Sequence, residues 1–270
     1  VIVASGGVNT AGRTSHRHAH NRLVFDALGR SEQQKTLAAL SSMMDASEGD
    51  DILAGTLVRK IARNYFDSAA VPTNLRFLVD DVHGVVNLSP DGFATSRSSD
   101  SLRGLSSGET IFVASERPFE VSVAGQLPAG FDPAALYTSR NHPRGLQMSI
   151  FAMSDALADL GIDWDQLTAN LAPDAVSVYV SSSMGQLDDA ATGGMLTASL
   201  RGERVTSKHC PLGFAEMPGD FLNAYVLKSL GHTGPALGAC ATFLYNLQRG
   251  VEDIRSGRAR VAVVGAAEAP

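Results

Sequence analysis

Cys240 stands where the residues around it could do chemistry. It lies in Gly231-His232-Thr233-Gly234-Pro235-Ala236-Leu237-Gly238-Ala239-Cys240-Ala241-Thr242, a run of small residues leading into a helix. The helix is predicted from Phe243, Leu244, Leu247, Val251 and Ile254, with Arg255 in its last turn and Gly257 after it. A thiol at a helix N-terminus meets unsatisfied amides and the positive end of the dipole, which favour the thiolate. Its own N–H would help hold an oxyanion when a thioester is attacked. Lone cysteines more often pack inertly in cores. Small neighbours, however, permit a sharp turn and leave the sulfur open, so Cys240 reads as a nucleophile for acyl transfer.

Other reactive-looking groups do not carry a function. Gly7-Val8-Asn9-Thr10-Ala11-Gly12-Arg13-Thr14 nearly spells a phosphate-binding loop, but Arg13 replaces the compact lysine that inserts among phosphates. It reads as a glycine turn. His16, His18 and His20 would share one face only on a strand, and Arg13, Arg17 and Arg22 around them oppose a bound cation. His209 and Cys210 are adjacent, so they cannot easily aim at one metal, and Cys210 reads as a structural or incidental thiol. No metal site and no cofactor site are expected.

Stepping outward, the elements that must position Cys240 follow from apolar periodicity. Val1 to Ala4 reads as a buried strand, and Ser15 to Leu28 as weakly helical. A Ser31–Gln34 capping box opens a helix through about Met44. Leu53, Leu57, Ile61 and Tyr65 form a second helical stripe. Short apolar pieces at Leu75–Val79 and Val85–Leu88 precede a polar loop, Ala94–Ser101, and strands at Thr110–Ala114 and Phe119–Ala124. Leu146, Ile150, Met153, Leu157 and Leu160 mark a helix stopped by Gly161. Ala175–Val180 is a strand, Phe221–Leu230 a helix capped by Gly231, and Arg260–Gly265 an apolar strand of the parallel, doubly covered kind. Alternating strands and helices predict the α/β class.

Composition agrees. The 270 residues are 44% hydrophobic, enough for a sizeable core, and the net charge of −6 argues against nucleic-acid binding through bulk positive charge. No apolar run suits a membrane span, no signal peptide is visible, and two cysteines make no disulfide scaffold. A cytoplasmic protein is expected.

Gly238-Ala239-Cys240-Ala241-Thr242, the helix to Gly257 and Val261-Ala262-Val263-Val264-Gly265-Ala266-Ala267-Glu268 together resemble the nucleophile region of β-ketoacyl-acyl-carrier-protein synthases. Val1–Gly12, Asn141–Asp163 and Val176–Gly185 fit earlier segments of that family in order, and residues about 25–125 look like a divergent insertion, as in a long bacterial subgroup. The resemblance implies a thiolase-like fold: a layered helix–sheet–helix, the N-terminal half of a pseudo-duplicated α-β-α-β-α architecture. It implies that Cys240 takes an acyl group from acyl-CoA or an acyl-carrier-protein thioester. Decarboxylative Claisen condensation with malonyl-carrier protein would follow, with acyl-carrier protein and a homodimer mate as partners. Phe243-Leu244-Tyr245 is bulkier than common members carry there, which implies a differently shaped acyl pocket. The two histidines of the second step belong to the family's second half, and none of His16, His18, His20, His83, His142, His209 or His232 matches their motifs. Taken literally, the chain is therefore expected to be incomplete for condensation. Another thiolase-fold acyltransferase (a thiolase or polyketide-type synthase) and a non-catalytic scaffold half are the competing readings. Arg13, Arg17 and Arg22, or Arg201, Arg204 and Lys208, are candidate clusters for an acidic carrier protein.

Overall fold

A computed structural model describes residues 1–46, 51–60, 122–139, 141–198 and 204–268, with short strands at 77–78, 87–89, 92–94 and 110–111. The chain divides into a larger unit (1–59, 125–194 and 207–270) and a smaller one (60–124 and 195–206).

In the larger unit two strands, β1 (Val176–Ser181) and β2 (Val261–Ala266), run parallel, with Val176 opposite Val261 and Ser181 opposite Ala266. The helices that matter are α1 (Arg30–Met44), α2 (Arg144–Leu160), α3 (Met217–Phe221, continuing as a π turn over Leu222–Leu227) and α4 (Thr242–Ser256). Every residue of β1 is buried, so its period-two alternation separates two interiors. Val176, Val178 and Val180 pack with Met153 of α2 and with Leu222 and Leu227 after α3. Full burial of side chains of this size is worth roughly 1.5–3 kcal/mol each.

The alternate residues of β1 turn to α4 and are polar. Ser177 Oγ and Tyr179 OH each donate to Asp253 Oδ2 at 2.6 Å, and Arg258 pairs with Oδ1 of the same carboxylate. Burial pushes the Asp253 carboxyl up, but the hydrogen bonds from Ser177, Tyr179 and Arg258 outweigh it and hold the group below its ordinary value. Gly250 lets α4 approach β2, since a Cβ there would press on Val264 and Ala262. The expected helix–sheet–helix layering and α/β class are thus present.

The helix ends follow local chemistry. Gly161 and Gly257 close α2 and α4 in the left-handed conformation, with φ of 68° and 74°. The start of α2 has no cap of its own. Asp188 Oδ2 accepts from the Arg144 amide (2.6 Å) and Gln186 Oε1 from the Leu146 amide (3.1 Å), both from a distant loop.

Several expectations need correction. Val1 to Ala4 is not a strand: Val1, Ile2 and Val3 are exposed, and no described strand offers the segment a ladder. The capping box does not form. Helix α1 starts at Arg30 because Gly29 is the N-cap and its carbonyl accepts from the Glu32 and Gln33 amides. Leu53 and Leu57 are not helical; Leu57 has φ 64° and donates its N–H to Thr10 O, and Val58–Lys60 is a strand paired with Val123–Gly125. Ile61 and Tyr65 lie outside the described residues. The helix expected at Phe221–Leu230 begins earlier, at Met217, and ends at Lys228 (φ 54°). Gly231 is not its cap; it packs so near the Val176 carbonyl that a Cβ would collide with it.

In the smaller unit Phe77–Leu78 pairs antiparallel with Thr110–Ile111, and Asn87–Ser89 with Gly92–Ala94. The predicted loop beyond Ala94, the strand residues 112–114 and 119–121, and His83 lie outside the described residues.

Candidate active site

The site is built at the carboxyl ends of β1 and β2, where ligands of α/β sheets usually bind. The chain reaches it along 230–238: Val178 N–H donates to His232 O (2.8 Å), so the segment runs beside β1. Then it turns into a 3-10 turn over Ala239–Ala241, and α4 starts at Thr242. Cys240 is therefore one residue ahead of the helix N-cap, Ala241, which has no side-chain group to cap the first amides. The thiol is exposed.

The turn is tightly specified. Gly238 N–H donates to Thr242 Oγ1 (3.0 Å), and Ala241 N–H to Gly238 O (2.9 Å). The Tyr245 ring lies over Gly238, leaving no room for a Cβ. Ala239 sits at φ 49°, a left-handed conformation that costs a non-glycine residue about 1 kcal/mol or more. Upstream, the fully buried Asn246 grips the loop: its Oδ1 accepts from the Ala236 amide at 2.8 Å, while Nδ2 donates to Ser181 Oγ and Gly265 O, both at 3.0 Å.

Beside this lies Glu268, just past β2. Its carboxylate accepts from Ser183 N–H (2.5 Å), Ser183 Oγ (2.8 Å) and Ser182 Oγ (3.1 Å), tying the turn after β1 to the end of β2. A cleft of about 900 Å³ opens nearby, lined by Gly6–Thr10, Gln126–Phe131, the first turns of α2 and Ala266–Glu268. Cys240 is not among its lining residues.

The α4 face is the reverse of the expected one. Thr242, Asn246, Gly250 and Asp253 are buried, whereas Phe243, Leu244, Val251 and Ile254 of the predicted stripe are 38–61% exposed and Leu247 is half-buried. A polar stripe packs on the sheet because Ser177, Tyr179 and Ser181 supply its partners.

Arg13 and Arg22 take structural roles. Arg13 pairs with the buried Asp155 of α2, which also accepts from Gly7 N–H (2.9 Å) and Ser15 Oγ (2.8 Å). Val8–Asn9 and Gly12–Arg13 form a small antiparallel hairpin, not the strand–loop–helix of a phosphate loop. Arg22 donates to Thr56 Oγ1 and Leu53 O. Of that basic cluster, Arg17 remains exposed, while Arg204 and Lys208 are exposed and Arg201 lies outside the described residues. His16 Nδ1 is 3.2 Å from Asp159 Oδ1. Burial, then the Arg13 and His16 charges, lower the pKa of His18 against an opposing pull from Asp155. Tyr137 OH meets His142 Nδ1 at 2.9 Å; burial pushes the phenol up to about 12 and the imidazole down. Cys210 is exposed in the short helix His209–Gly213. Among the described residues no group of three or more His, Cys, Asp or Glu could hold a metal ion.

Comparison with known proteins matches residues 118–270 to the N-terminal domain of β-ketoacyl synthases. The chain belongs to the β-ketoacyl synthase family. A curated relative, the β-ketoacyl-[acyl-carrier-protein] synthase FabY of Pseudomonas aeruginosa, is 42% identical over all of this chain and 48% of its own length. The crystal structure of the ketosynthase FabY from that organism superposes with a TM-score of 0.80 at 40% identity, covering 100% of this chain and 48% of that one. The fatty acid synthase subunit alpha of Saccharomyces cerevisiae is 27% identical over 58% of this chain and 8% of its own. This β-ketoacyl synthase chain thus spans about half the length of the FabY it matches. Family membership carries the thiolase-like α/β fold. The chief site residues missed in the sequence are Asn246 and Thr242. Their signal was a polar stripe, Thr242-Asn246-Gly250-Asp253, at helical spacing opposite the apolar one.

Proposed function

We propose that this chain is the N-terminal, nucleophile-bearing half of a β-ketoacyl-acyl-carrier-protein synthase of fatty-acid biosynthesis. The observation that carries the reading is the exposed thiol of Cys240 on a rigid turn immediately ahead of α4, at the carboxyl ends of two parallel strands. The Cys240 sulfur attacks the thioester carbonyl of acyl-CoA or acyl-carrier protein. The carbonyl π pair moves to oxygen, where backbone N–H groups at the turn are suited to receive it. Collapse expels the coenzyme or carrier thiolate and leaves acyl-Cys240. Malonyl-carrier protein then loses CO₂, its enolate carbon bonds to the acyl carbon, and the C–S bond to Cys240 breaks.

The groups that assist decarboxylation belong to a second half. The exposed apolar residues of α4 support this, since Phe243, Leu244, Val251 and Ile254 share one side of the helix and stand in water. In this reading the second half covers that face, residues about 25–125 are an insertion, and the protein works as a cytoplasmic homodimer that receives an acidic carrier protein.

Incubation with radiolabelled acyl-CoA and acyl-carrier protein tests the first step. Wild type is expected to retain one label on Cys240, located by peptide mapping because Cys210 is also exposed. Cys240→Ala is expected to retain none. Label persisting in that variant would refute Cys240 as nucleophile, and no label on either would favour a scaffold role or a half that is incompetent alone.

A further inference from the structure

We infer that Asn246 is a positioning residue for Cys240, acting with Ser181 as a clamp on the loop that delivers the thiol. The two residues hold both backbone groups of Ala236. Asn246 Oδ1 accepts its N–H at 2.8 Å, and Ser181 Oγ donates to its C=O at 3.5 Å. The pair is locked together, because Asn246 Nδ2 donates to Ser181 Oγ and its second hydrogen goes to Gly265 O. One buried amide thus joins β1, β2 and the loop 233–238, using both donors and one acceptor site. Asn246 is 0% exposed, so its amide depends on these partners rather than on water.

The consequence lies four residues downstream of Ala236. Between the clamp and α4 only Leu237, Gly238 and Ala239 precede Cys240, and Gly238 is itself tied to Thr242. Asn246 and Thr242 stand one turn apart on the same face of α4. The helix therefore fixes the turn at both Ala236 and Gly238, and with it the directions of the Cys240 sulfur and amide. Leu237 and Cys240 are exposed, so the loop's own packing does not hold them there. The inference rests on Cys240 being the reactive group.

Asn246→Ala and Ser181→Ala in the full chain test it, with Cys210 as an internal reference thiol. Three quantities are read: iodoacetamide alkylation of Cys240 relative to Cys210, hydrogen exchange of the Ala236 amide, and labelling of Cys240 by octanoyl-CoA. In Asn246→Ala the Ala236 amide is expected to exchange about tenfold faster or more as its acceptor is lost. The Cys240 to Cys210 alkylation ratio is expected to shift by about threefold or more while the Cys210 rate stays near wild type. Ser181→Ala should move both quantities in the same sense by less. It deletes a single hydroxyl, and it decides the matter should Asn246→Ala not fold. A ratio that stays at its wild-type value while the Ala236 amide exchanges faster would overturn the inference, since the clamp would then be purely structural. Octanoyl-CoA separates the two ideas: failure to label wild type counts against Cys240 as an acceptor from acyl-CoA, and the alkylation ratio still decides the role of Asn246.

Discussion

Asp253 is a buried carboxylate whose partners are all side chains. Two hydroxyls and a guanidinium converge on a carboxylate that is 1% exposed, and Ser177 and Tyr179 are buried with it. Replacing it by alanine strands those hydroxyls, at about 1–3 kcal/mol for each buried donor left without a partner. Chemical denaturation of Asp253→Ala is therefore expected to show a loss of about 3 kcal/mol; a loss under about 0.5 kcal/mol would mean the hydroxyls find other acceptors. The pH dependence has a definite sign. The folded carboxyl titrates below its ordinary value of 3.8, so its contribution is full above that pH and is lost as pH falls through the lower, folded-state value. Urea midpoints measured from about pH 6 to pH 3 should fall at the acid end in wild type, and less steeply in Asp253→Asn.

Helix α4 teaches the most at the scale of elements. Its apolar residues recur at helical spacing, so its existence and its ends were legible, and Gly257 closes it as expected. Its orientation was not legible. The sheet beneath offers hydroxyls at every second position of β1, and the polar stripe of α4 satisfies them. Glycines mark two different constraints on neighbouring elements. Gly257 is left-handed at φ 74° with open space around it, so Gly257→Ala is expected to cost about 1 kcal/mol, from conformation alone. At Gly231 a Cβ meets the Val176 carbonyl, and Gly231→Ala is expected to cost about 2 kcal/mol or more because backbone must move. Thermal melts of the two variants check this order, and equal losses would show that the 230–238 segment yields easily.

On the scale of the whole molecule, the contrast is between a buried apolar cluster and exposed apolar residues of α4. Leu222 is 2% exposed within the cluster of Val176, Val178, Val180 and Met153, and Leu222→Ala is expected to lose about 2–5 kcal/mol. Leu244 is 61% exposed on α4, and Leu244→Lys is expected to change the stability of this chain by no more than about 0.5 kcal/mol. Denaturant titration of both variants tests the assignment; a large loss for Leu244→Lys would mean that the apolar face is already covered. No helix among the described residues is long and apolar enough to cross a membrane.

Local pattern determined what depends on near neighbours along the chain. The α/β class, the parallel apolar strands, helices α2 and α4 with their closing glycines, and the turn that presents Cys240 could all be read from spacing and residue type. Val1–Ala4, the Leu53–Leu57 stripe and the bounds of the helix near Phe221–Leu230 could not. Whether a β-branched run becomes a strand depends on a ladder partner, and Leu57 is turned aside by a bond to Thr10, far away in sequence. Tertiary structure alone decided that Arg13 belongs to Asp155, that α2 is capped from Asp188 and Gln186, and that Asn246 rather than a leucine faces the sheet. The reason is common to all three. A buried polar group must find its partner wherever the fold brings one, and sequence periodicity records which residues share a face but not what that face will meet.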